Sequence, residues 1–232
     1  MSDKKYELLE DEYIKVVGRK VFRIRALRSF GNIKEGDKGG FIQSEKNLYH
    51  NGDCWVGRDA IVCDDAIVSG NALVTGDAFV YGAACIMEDA IVMDQAHIGG
   101  DALIFDHAKI CDGASISDEV SISGHARVGG NSLICDRVRI LGSTVITGTC
   151  VIRGYTTING SMITSSKDVL VIGPIGSRRA HLTIVISDGR CYTGCFAGTI
   201  DELEQAARMK GRQDYLDLIP GIRALVNRKR GL

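Results

Sequence analysis

Apolar and small residues recur along this chain with a six-residue beat that covers nearly half its length. One position in six reads Cys54, Ala60, Ala66, Ala72, Ala78, Ala84, Ala90, Ala96, Ala102, Ala108, Ala114, Val120, Ala126, Ser132, Val138, Thr144, Cys150 and Thr156, small for most of the run. Two residues later stands a Val or an Ile, without exception, from Val56 to Ile158 through eighteen consecutive hexads. Side chains alternate across a strand, so the small and the aliphatic residue share a face, and that face must point inward. Two positions beyond the aliphatic residue the chain places Gly or Asp in every hexad except those with Arg58 and Glu88. Gly and Asp tolerate the unusual backbone angles of tight turns. Each hexad is then a short strand and a corner, three of them close a triangle, and eighteen make about six rungs stacked at ~4.8 Å. The beat fails at the next hexad, where Met162 falls in the small column and Thr164 in the aliphatic one, and the coil is expected to end there.

The flanks predict other elements. Glu7–Val17 and Lys20–Leu27 read as a hairpin turning at Gly18, a cap for an open rod end whose strand groups would otherwise lie unpaired. Beyond the coil, Val169–Ile172 and Leu182–Ser187 read as strands, Asp188-Gly189 as a hairpin turn and Arg190–Phe196 as the returning strand. Thr199 with Glu202 forms a capping box for a helix whose inner face is Leu203, Ala206 and Ala207, and a second helical stretch starts near Gln213 and restarts at Pro220. The expected fold class is mainly β: a single-stranded left-handed parallel β-helix of about six rungs, a small N-terminal β cap, and a C-terminal β-hairpin plus helices. The expected domains are an N-terminal β cap over 1–50, the β-helix over 51–165 and a C-terminal α+β module over 166–232.

The repeat, with Val56 followed by Ala60 and Val62 by Ala66, resembles the hexapeptide-repeat superfamily, the LpxA-like left-handed β-helix acyltransferases. Arg23-Ile24-Arg25-Ala26-Leu27 and Gly36-Asp37-Lys38-Gly39-Gly40-Phe41-Ile42, running into Asn51-Gly52-Asp53-Cys54-Trp55-Val56, resemble the opening of YdcK-like proteins of bacteria and phages. The C-terminal stretches Ile172–Arg178 and Gly194–Thr199 look like a small module of phage-associated proteins. The resemblance implies a homotrimer packed around a three-fold axis. It implies acetyl-CoA or a similar donor only if the chain is an acyltransferase; no cofactor follows from the residues themselves. The hexads run without the protruding loop that such enzymes commonly use to wall in the acyl donor.

Composition narrows the classes. No apolar run approaches the roughly 18 residues that span a bilayer, and the start of the chain lacks an apolar signal core, so a cytoplasmic protein is expected, in the bacterial host if phage-encoded. The eight cysteines are scattered and read as reduced thiols. The net charge of −1 hides an uneven layout: residues 54–165 hold thirteen acidic against six basic residues, and 206–232 hold two against seven. An acidic coil does not favour nucleic acid as a partner.

Candidate chemistry lies on outward positions. The residue between the small and aliphatic columns reads Trp55, Ile61, Ile67, Leu73, Phe79, Cys85, Ile91, His97, Leu103, an apolar surface that suits a trimer interface or a place for the terminal segments to fold onto. Three histidines are candidate general bases, the residue type that takes a proton near neutral pH. His107 and His125 are eighteen apart, which stacks them at one corner on adjacent rungs, with Asn71 and Asp89 below and Ser143 and Ser161 above. That column is a proton relay, a metal site, an anion site, or a corner that accepts any polar residue. His97 sits on a flat face between Phe79 and Ser115. The loop Gly176-Ser177-Arg178-Arg179 offers backbone amides, a hydroxyl and two guanidinium groups suited to a phosphate or carboxylate, or is a tight turn with solvated arginines. Two readings result: a phage-type binding protein for a small anionic, nucleotide-like ligand such as a host-defence signal that it sequesters, or an acyl-CoA-dependent acyltransferase. A non-catalytic assembly scaffold is the third.

Overall fold

The computed structural model describes residues 4–175 and 180–231. Its centre is a parallel β-solenoid whose strands, most of them two residues long, pair with the strand eighteen residues away and form three sheets. The Trp55 face carries Trp55, Leu73, Ile91, Lys109, Arg127, Val145 and Met162 outward. The Ile61 face carries Ile61, Phe79, His97, Ser115, Leu133 and Val151. The Ile67 face carries Ile67, Cys85, Leu103, Ser121, Arg139 and Thr157. The aliphatic column is buried throughout, and so is the small column, which together form one continuous core. Burying each Val or Ile contributes about 1.5–3 kcal/mol, so this column supplies the main stabilisation against chain entropy.

The solenoid has seven turns, one more than the regular hexads account for. Ile42 pairs with Val62 and Leu48 bridges to Val68, so two aliphatic positions precede the run at the same six-residue step. A two-residue insertion before Val56 hides them from the beat. At the other end Ile146 pairs with Ile163, seventeen residues on, and Ser161 and Ile163 are buried while Met162 is exposed. The coil does not fail at Met162 and Thr164 as expected; it loses one residue and continues for one more strand. Ser161 is thereby turned inward and leaves the corner column above His125 and Ser143.

All eighteen regular corners adopt left-handed backbone, Arg58 and Glu88 included. A carboxylate at a corner does more than tolerate that angle. Asp64, Glu88, Asp94, Asp106, Asp112, Asp118 and Asp136 each accept the backbone N–H of the corner residue one turn on, at 2.7–3.2 Å. Where the small column turns polar, Ser132, Thr144 and Thr156 donate their hydroxyls to the carbonyl three residues back, so none of these three buried hydroxyls is left unpaired.

At the N-terminal end β1 (Tyr6–Val16) and β2 (Arg19–Ala26) form the expected hairpin, turning at Val17-Gly18, and β2 pairs antiparallel with β3 (Lys38–Ile42). β3 in turn pairs parallel with the Ile61 strand, so the hairpin prolongs one sheet of the coil beyond its first turn. Lys5 is fully buried beneath it, with its ammonium donating to the carbonyls of Gly52 and Cys54 at 3.2 and 2.7 Å and to the Cys54 sulfur at 3.1 Å. At the C-terminal end β4 (Val169–Ile175), β5 (Ala180–Val185), β6 (Arg190–Thr193) and β7 (Phe196–Thr199) form an antiparallel meander. The expected single strand Arg190–Phe196 is split by a turn at Gly194-Cys195, with Gly194 in left-handed backbone. The capping box of Thr199 and Glu202 opens α1 (Ile200–Met209), followed by α2 (Gln213–Leu216) and α3 (Ile219–Arg230), with Pro220 in the first turn of α3. The helices pack on the meander in a core separate from that of the coil. No helix among the described residues is long and apolar enough to cross a membrane.

Candidate functional site

The eighteen-residue turn stacks side chains at the corner between the Ile67 and Trp55 faces into a ladder. Asn71 donates to Asp89 at 3.0 Å, Asp89 lies 3.7 Å from Nδ1 of His107, and the His107 and His125 rings stack at 4.8 Å with 9° between their planes. The ladder also reaches back to Asp53, whose N–H donates to the Asn71 side chain at 3.3 Å. His107 and Asp89 are both about half exposed, at 55% and 50% of their side-chain surface. At 3.7 Å Asp89 is beyond hydrogen-bond distance of His107, and both side chains are half exposed to solvent.

His97 is exposed on the Ile61 face, its ring 6.0 Å from Phe79 in an edge-on arrangement, with Ser115 paired on the next turn. No carboxylate pairs with it among the described residues. It has neighbours to pack on and none to orient it.

The outward apolar column does not form a single strip, because successive members fall on three different faces. Its N-terminal members are covered by the terminal segment. Trp55 is buried among Tyr6 and Phe30, and Ile61 and Phe79 pack with Val16, Val21 and Phe41. Leu103, 40% exposed, follows Ile67 and Cys85 on the remaining face, with Met87 and Phe105 half buried at its edge.

The loop Gly176-Ser177-Arg178-Arg179 lies outside the described residues. Its two flanks, Ile175 and Ala180, line a cavity of about 270 Å³ between the meander and the helices. Leu203, Ala207, Phe196 and Tyr215 give the cavity apolar walls, and Lys210 and Arg212 add positive charge. Thr193 and Tyr215 share a hydrogen bond of 2.9 Å on one side, and the Arg212 guanidinium lies 5.7 Å from the Tyr215 ring. This cavity was not visible in the sequence, since its walls come from four strands, a turn and two helices.

The cysteines are all free. Burial pushes the Cys63 thiol up to about 11 and the Cys191 thiol up to about 12, and raises Cys54, Cys85, Cys111, Cys135 and Cys150 as well, which keeps them protonated and poor nucleophiles. Cys191 is buried and Cys195 exposed, so the pair does not present two sulfurs to one ion. Asp94, Cys111 and Asp112 stand close together, as do Asp118, Cys135 and Asp136. All four of those carboxylates already accept corner N–H groups, and the triads are part of the corner ladder.

A scan against protein-family models finds no match for this chain, and a search of curated proteins finds no significant relative.

Proposed function

We propose that this protein is a non-catalytic binding protein whose C-terminal module holds a small anionic ligand, with the solenoid as its rigid support. The observation that carries this reading is the cavity beside Ile175 and Ala180, where aromatic and aliphatic walls suited to a flat base meet the cations Lys210 and Arg212. Its 270 Å³ suits a mononucleotide-sized body in part, with phosphate at the charged rim. The likeness of the flanks to YdcK-like and phage-associated proteins, and the hexads' lack of a protruding acyl-donor loop, motivate a sequestering role for a nucleotide-like signal in a bacterial cytoplasm. In the same reading the chain is a homotrimer joined through the Ile67–Leu103 strip, an apolar part of the coil in which Leu103 is 40% exposed.

Native mass spectrometry of the purified chain reports both oligomer and retained ligand. Calorimetry with adenosine diphosphate then tests the cavity, with an expected loss of at least about tenfold in affinity for Lys210→Ala. No retained anion, no binding of the nucleotide and no effect of Arg178→Ala would end this proposal.

One observation favours a second reading, acyl transfer from acetyl-CoA with His107 as base, and that is the proximity of the Asp89 carboxylate, 3.7 Å from Nδ1 of His107. His125 and His97 are the other candidate bases. Release of free thiol on incubation with acetyl-CoA and an amine or sugar acceptor, abolished by His107→Ala, supports it; its absence removes it.

A further inference from the structure

The register that stacks His107 on His125 stacks a second pair beside them. Lys109 and Arg127 are direct partners in adjacent parallel strands of the Trp55 face. Ala108 and Ala126, between the two members of each rung, are fully buried, so the side chains at 107, 109, 125 and 127 all project outward. Four nitrogen-bearing side chains thus form a two-by-two array, about 4.8 Å apart along the coil axis and about 7 Å across it.

Like charges placed side by side in a sheet are destabilising. No direct ion pair relieves them, since neither Lys109 nor Arg127 makes one with a described residue. The carboxylates on the neighbouring positions hold contacts of their own. Asp89 accepts from Asn71 and sits on the far side of His107, and Asp106 and Asp112 accept the corner N–H groups of Gly124 and Gly130. Between residues 54 and 165, where acidic side chains outnumber basic ones thirteen to six, two of the six basic residues and two of the three histidines gather on two adjacent turns.

We infer that His107, Lys109, His125 and Arg127 form a binding site for one or two phosphate groups of a small ligand, on the edge of the solenoid and independent of the cavity in the C-terminal module. Lys109 supplies a point charge, Arg127 a planar fork that suits a tetrahedral oxyanion, and each imidazole at least one N–H donor even when neutral. The size of the ligand follows from the surroundings. Asp89 closes the array on one side and Val145 follows Arg127 on the other, so a longer polyanion would leave the array after two turns. A nucleic-acid strand would run on over a coil of predominantly negative charge.

The test uses the full chain and pyrophosphate, with the side-chain resonances of the histidines as readout. The His107 and His125 signals are expected to shift together on titration while His97 stays in place. The double variant Lys109→Gln/Arg127→Gln is expected to weaken binding at least about tenfold. Lys210→Ala is expected to leave these shifts intact, which separates this site from the module's cavity. The inference is overturned if millimolar pyrophosphate moves neither histidine, if the double variant binds as well as the parent, or if a single-stranded oligonucleotide binds the array more tightly than pyrophosphate does.

Discussion

The two ends of the solenoid are closed by different means. At the N-terminal end the chain extends the coil itself, since the hairpin of β1 and β2 adds strands to the sheet of the Ile61 face and Lys5 satisfies the carbonyls left open beneath it. At the C-terminal end a separate antiparallel sheet covers the last turn. Val185 and Tyr192 join the core of the coil, Tyr192 donates to the carbonyl of Asn159 at 2.6 Å, and His181 stacks on Tyr155 at 4.9 Å. An open parallel coil exposes three sheet edges, not one, and a single added hairpin prolongs only one of them. Of the other two edges at that end, one is met by Leu48 bridging to Val68 and the other lies by the Lys5 ammonium that donates to Gly52 and Cys54, while the C-terminal module serves the opposite end.

The largest expected effect tests where the coil ends. Ile163→Ala should cost about 3 kcal/mol by removing an inward aliphatic residue, whereas Thr164→Ala, on an outward position, should stay within about 0.5 kcal/mol. Equal effects in urea denaturation would mean that the last turn is not continued as described.

A somewhat smaller effect tests the N-terminal closure. Lys5→Ala should cost about 2 kcal/mol, since it leaves the carbonyls of Gly52 and Cys54 without a donor in a buried place. Burial also holds the Lys5 ammonium below its ordinary value, so Lys5 makes stability rise with pH between its lowered folded value and the unfolded value near 10.5, and the variant loses that slope. The check is the urea midpoint measured across this range.

The smallest effect compares the two ends by pH. Cys63, under the N-terminal hairpin, and Cys191, in the C-terminal core, have thiols raised from near 9 to about 11 and about 12. A raised folded value means that the folded state holds its proton when the unfolded state has lost it, so the contribution is full below about pH 9 and is lost as pH rises above it. Each should account for about 1 kcal/mol by pH ~10, and Cys63→Ala or Cys191→Ala should flatten the corresponding part of the alkaline loss. Unchanged alkaline profiles would show that neither thiol is held in this way.

Much of the candidate site was legible because a coil converts sequence spacing directly into distance. Eighteen residues are one turn, so the stacking of His107 on His125 followed from their numbers, and the pairing of Lys109 with Arg127 was available by the same step. The cavity beside Lys210 was not legible, because residues from 175 to 215 meet there through packing that has no period. The apolar column misled for a related reason: read along the chain it looks continuous, but consecutive members turn by a third of a circle each time.

The sequence alone determined the regular coil, its corners, the N-terminal hairpin and the capped helix α1, since each is set by short-range alternation, left-handed turn residues or a side chain three positions from its partner. Only the tertiary structure decided the seventh turn, through Ile42, Leu48 and Ile163, because an insertion and a deletion break a fixed period while pairing across the sheet absorbs them. It also decided that Trp55 is buried and that Ser161 points inward to Tyr192, because burial depends on what the distant ends of the chain bring into contact.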